Sequence, residues 1–125
     1  MNGIILTIFL LLFNFTSTGQ TSDYDVKIEY KAVDQKLIIE GTFFNESKVE
    51  ANINYYLTIE KESKSGNSST NQSGEVKVPS EQKSTLSRSA LSLSKDAVYQ
   101  IHLKVERNGN LISDKELKLM GSEFQ

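Results

Sequence analysis

The chain of 125 residues contains no cysteine, no tryptophan, one proline and one histidine. Each shortage closes off some chemistry. Without Cys there is no disulfide, zinc–thiolate site, thiol nucleophile or lipid-anchoring cysteine. A single His rules out a multi-His metal site. Charge is also missing from one place: residues 1–20 carry none, so all 14 Lys and Arg and all 16 Asp and Glu lie downstream.

That uncharged start reads as a leader. Ile4 to Phe13 is an apolar run broken only by Thr7, followed by Thr16-Ser17-Thr18-Gly19. A membrane-spanning helix needs about 20 apolar residues, whereas this run has the length of a signal-peptide core. Ser17 and Gly19 fit the small-residue rule for cleavage after Gly19. A positively charged n-region is absent, and a retained N-terminal anchor is the alternative. The expectation is a signal peptide over 1–19, an exported domain over 20–125, and no stable membrane insertion after cleavage. That remainder has the size of one domain, long enough to bury a core without staples.

What is present is alternation with period two. From Tyr24 to Lys31 one face is Tyr, Val, Ile, Tyr and the other is charged. Leu37, Ile39, Gly41 and Phe43 alternate with Ile38, Glu40, Thr42 and Phe44, and the interior Gly41 suggests a bulge or a close approach. Ile53, Tyr55, Leu57 and Ile59 form a third run, and Val76 and Val78 a short fourth, ended by Pro79. Leu86 to Leu93 is a fifth, with a phase slip that predicts a kink. Tyr99, Ile101, Leu103 and Val105 lead to Asn108-Gly109, a type I′ hairpin signal, and Leu111 to Met120 returns. Seven short antiparallel strands, with no helical period anywhere, predict an all-β, immunoglobulin-like sandwich. A small closed barrel is the competing fold. The polar segment Ser63 to Gly74 has no apolar residue; it is expected to be a mobile loop between strands three and four, with part of it free to extend the hairpin.

Catalysis finds no support. His102 shares its phase with Lys104 and Glu106 and should face water. Asp23 and Asp25 make only a weak metal signal, and the Ser-rich segment lacks a phosphate-loop signature. No cofactor is expected. Asn-x-Ser/Thr triplets at Asn45, Asn67 and Asn71 matter only in a host that glycosylates exported proteins. A net charge of −2, with bases and acids interleaved, disfavours nucleic acid. What remains is contact with another protein chain. Sandwich edges can template or cap strands, and Lys61, Lys64, Lys77, Lys83 and Arg88 lie around the third to fifth strands. They form either edge protection or a basic rim for an extended client.

The run Tyr55-x-Leu57, Gly66, Ser69, Gln72-Ser73-Gly74 and Val76-x-Val78 resembles the curli assembly family of CsgH-like and CsgC-like periplasmic proteins. Leu91-x-Leu93, Tyr99-x-Ile101-x-Leu103 and Asn108-Gly109-x-Leu111-Ile112 continue the likeness, which covers residues 51–115. The resemblance implies an immunoglobulin-like sandwich in the periplasm or outside a Gram-negative cell. It further implies a monomeric chaperone-like protein that binds the secreted curli amyloid subunit and holds back premature fibre formation. Lys61, Lys64, Gln72, Lys77 and Arg88 are the residues expected to meet that client. Some members carry Cys-x-Cys; this chain has no Cys, so a redox role is excluded for it. The turn after the fourth strand, often Gly-bearing in the family, is Pro79-Ser80-Glu81 here. An exported structural or adhesive module that binds a glycan or an envelope protein, with Tyr56 stacking outward on a sugar, is the alternative.

Overall fold

The alternation resolves into seven strands in a computed structural model that describes residues 23–124. They are β1 (Tyr24–Val33), β2 (Lys36–Asn45), β3 (Ala51–Ser63), β4 (Gly66–Val78), β5 (Gln82–Ser92), β6 (Val98–Arg107) and β7 (Asn110–Met120), with a 3-10 turn at Gly121–Phe124. The leader expected over 1–19 lies outside the described residues. All pairings are antiparallel. One sheet has the order β1-β2-β5 and the other β4-β3-β6-β7, so the fold is an open sandwich rather than a closed barrel. In a constant-type immunoglobulin sandwich the fourth strand joins the fifth. Here β4 stays with β3, because a two-residue connection at Lys64-Ser65 holds it there through thirteen successive pairs.

Alternation explains the core. Leu37, Ile39 and Phe43 on β2 face Ile53, Leu57 and Ile59 on β3, and Tyr99, Ile101, Leu103 and Val105 on β6; all are buried. Gly41 packs against Leu103 of the facing sheet. A Cβ there would stand 3.0 Å from Leu103 Cδ2 and 3.3 Å from Ser87 Oγ. The β2–β5 register slips between Gly41 and Thr42, with Leu86 as the extra residue opposite them. Both the expected kink in the fifth strand and the bulge at Gly41 are therefore one feature.

Two hairpins are closed by left-handed backbone. Asn108 and Gly109 have φ of 54° and 78°, the geometry that a type I′ turn requires and that the Asn-Gly pair predicts. Asp34 and Gln35, with φ of 51° and 64°, do the same between β1 and β2 without that sequence signal. At the start of β6 the Tyr99 hydroxyl donates to the Ser92 carbonyl at 2.7 Å and accepts from the Ser94 N–H at 3.0 Å. A tyrosine at this place, bonded back to the preceding connection, is the corner found in immunoglobulin-like sandwiches.

The expectation of a mobile loop over 63–74 is wrong. β4 begins at Gly66, and the short strand read at Val76–Val78 is only its last turn of pleat. Polarity misled the reading because β4 stands at the edge of its sheet, where few inward positions need to be apolar. The fifth strand also begins earlier than Leu86, at Gln82, since its first residues are polar.

Candidate functional site

The β3–β4 hairpin is fastened at three places. At its tip the Lys64 N–H donates to Asp96 Oδ2 at 2.7 Å, tying it to the connection before β6. That bond holds the Asp96 carboxyl below the ordinary aspartate value. Midway along, Gln72 Nε2 donates to Ser89 Oγ on β5 at 2.9 Å, crossing from one sheet to the other. At the far end the buried Asn45 amide donates to the carbonyls of Val49 and Val78, both at 2.9 Å, and of Pro79 at 3.3 Å, while its oxygen accepts from Ser47. Ser80 Oγ donates to the Ser47 carbonyl at 2.7 Å. Between these points the Tyr55 ring lies against Gly74, where a Cβ would come within 3.1 Å of Cε1. The Gln72-Ser73-Gly74 motif thus has a structural account: the amide bridges the sheets and the glycine admits the ring.

The five residues expected to meet a client do not form one rim. Lys61 turns inward; its Nζ donates to Ser92 O at 3.0 Å and to Ser92 Oγ at 2.8 Å, and sits 5.7 Å from the Tyr99 ring centroid. Gln72 also turns inward. Arg88 stands on the outer face of the other sheet, paired with Glu40 at 3.0 Å. Lys64 caps the hairpin tip, and Lys77 is exposed on the outer phase of β4. Lys83, also on the smaller sheet, approaches Glu29 at 4.0 Å. Charges adjacent in sequence order are dispersed because successive residues of a strand point to opposite faces and because β5 lies in the other sheet from β3 and β4.

The outer face of the four-stranded sheet carries a second constellation. His102 and Glu116 are directly opposed across β6 and β7, and Asp114 opposes Lys104. His102 is half-exposed as expected, but it is not free: Nε2 is hydrogen-bonded to Asp114 Oδ1, with Glu116 Oε2 at 4.0 Å. One ligand atom from each of the three lies within 4.8 Å of the others, so the trio has the donor types for a divalent cation. Holding one would require Asp114 to give up its bond to the ring. Asp25, by contrast, pairs with Lys27 at 3.7 Å. On the same sheet Tyr56 points outward at 39% exposure, and Lys104 Nζ already sits 5.4 Å from its ring centroid.

The four edges of the sandwich differ sharply. β1 alternates Asp25, Lys27, Glu29 and Lys31 along one side. β5 carries the bulge at Leu86, together with Lys83 and Arg88. β7 has a register shift opposite Val105 and Glu106 and places Lys115 opposite the buried Leu103, on the inward phase. Charges, bulges and inward-pointing Lys are the devices that stop sheets from pairing edge to edge. From Gly66 to Gly74, β4 has none of them.

The matched family model decides the relationship: it is that of the CsgH protein, and it aligns with residues 25–116. The chain belongs to the CsgH family. The solution structure of R. palustris CsgH superposes with a TM-score of 0.60 at 18% identity, covering 82% of this chain and 96% of that one. The E. coli curli protein CsgC matches with a TM-score of 0.61 at 16% identity, covering 76% and 96%. A putative β-galactosidase from Bacteroides fragilis matches at 0.52 and 19% identity, but over only 16% of its length. At these identities the likeness is one of fold. No curated protein matches the sequence.

Proposed function

We propose that this CsgH-family domain binds secreted curli amyloid subunits and holds back premature fibre formation in the periplasm or just outside the cell. The family match over residues 25–116 carries the reading. The likeness to the E. coli curli protein CsgC, over 76% of this chain and 96% of that one, supports it. So does the architecture, because a client that forms cross-β fibres presents unpaired strands, and a sandwich offers strand edges. The role is binding rather than catalysis. The glycan-binding alternative is less favoured, since the Lys104 ammonium already occupies the Tyr56 ring where a sugar would stack.

The test is fibre growth of a purified curli subunit followed by thioflavin fluorescence, with residues 20–125 added. A lengthened lag well below equimolar ratio is expected, because capture of rare nuclei needs little protein. An unchanged lag at equimolar ratio would sink the proposal.

A further inference from the structure

We infer that the free edge of β4, residues 66–74, is a docking strand for an extended, uncharged chain rich in Ser, Asn, Gln and Gly, which adds to the sheet beside it. This rests on the proposed function and names the surface and the client chemistry.

The pair that closes the Lys64-Ser65 turn, Ser63 with Gly66, is hydrogen-bonded, since no tighter pair can form inside a two-residue connection. Alternation then directs the N–H and C=O groups of Ser68, Thr70 and Gln72 to β3. Those of Asn67, Ser69, Asn71 and Ser73 point away from the sheet. Among the described residues, no backbone hydrogen bond outside the strand ladders reaches them. Thirteen pairs in unbroken register keep this row straight, and the Asp96, Gln72 and Asn45 anchors hold the hairpin to the body. A protein that merely needed to stay soluble would guard such an edge, as this one guards the other three.

Composition selects the partner. Nine consecutive residues, GNSSTNQSG, carry no charge and no large apolar group. A charged strand would lose hydration without gaining a counter-ion, and an apolar one would find nothing to bury against. A strand of small hydroxyl and amide side chains can pair its backbone and stack Asn and Gln in register, as amyloid ladders do. It then presents another neutral edge, but one fixed to a folded domain whose opposite strands cannot continue a fibril. Growth is blocked at that end.

The decisive variant is Ser69→Lys with Ser73→Lys, which puts two guarding charges on exposed positions of the edge. The control, Asn54→Lys with Gln100→Lys, adds the same charge to the same face on interior strands. In the fibre assay about tenfold more of the edge variant than of the wild type is expected for an equal lag, and the control should match the wild type. Amide hydrogen exchange should show Asn67, Ser69, Asn71 and Ser73 slowed by the client. Equal potency of the edge variant, or slowing confined to another edge, overturns the assignment. A blocked, uncharged nine-residue Ser/Gln peptide titrated into the 15N-labelled protein tests the edge even if curli growth is unaffected. Shifts concentrated in residues 66–78 support it, and none at millimolar peptide refutes it. Pairing between two copies of this chain, seen as a dimer that the edge variant abolishes, would also overturn it.

Discussion

Asn45 shows what a single side chain contributes here. It is fully buried at the end of β2, and its amide gathers three carbonyls from the two segments that flank β3 and β4. As a sequence feature it is only the start of an Asn-x-Ser triplet, and the local pattern cannot tell a glycan acceptor from a clamp, because the partners at Val78 and Pro79 are over thirty residues away. Its burial leaves no room for a glycan on the folded domain. Replacing it with Ala leaves the buried Val78 carbonyl without this donor, at a cost of about 1–3 kcal/mol for a buried group left unsatisfied. Urea unfolding of Asn45→Ala should show a lower midpoint with an unchanged slope. Ser87 is the opposite case: its Oγ is buried with no hydrogen-bond partner among the described residues. Ser87→Ala removes that orphan without opening a cavity, and thermal unfolding should shift upward by a few degrees rather than down.

At the scale of the element, the hairpin of β3 and β4 is where reading the sequence and seeing the structure part company. Hydrophobic alternation is a record of burial on one face, so β1, β3 and β6 announce themselves and their neighbours follow. β4 buries only its last residues, and positions 67–73 give no such record. The Asn-Gly turn was legible because its backbone demands particular residues; the Lys64-Ser65 turn demands none. The tip also has a pH dependence. The bond from the Lys64 N–H lowers the Asp96 carboxyl below its ordinary value, so the contact is intact above the usual aspartate range and is lost as pH falls through the lowered one. An NMR titration should show the Lys64 amide proton moving upfield only at pH below that ordinary value. In Asp96→Asn that step should vanish.

Across the whole molecule, the fold class, the strand number and the family were legible, because a half-buried strand writes its period into the sequence. The supposed basic rim was not real, since sequence order says nothing about which sheet or face a strand's charges reach. Its residues divide between the sheet interface, the hairpin tip and two outer faces. The balance of charge is −2 over the chain, and among the described residues Lys27, Lys48, Lys83, Arg88 and Lys104 each stand within 4.0 Å of an acid. Mutating Lys61 is therefore expected to loosen the end of β5 more than to change attraction for a client.

The connectivity has a kinetic consequence. Three pairings, β1–β2, β3–β4 and β6–β7, join neighbours across two-residue turns. The other two close large loops: Lys36 meets Ser92, and Asn54 meets Glu106. Hairpins form in about 1–10 μs, whereas sandwiches dominated by distant pairings fold in about milliseconds to seconds. Stopped-flow refolding should fall in that slower range. A hairpin from 51 to 78 that formed before the sandwich closed would display its neutral edge while its apolar face was still wet. If the domain meets fibre subunits as proposed, its own newly made, still unfolded state would be the first species open to recruitment.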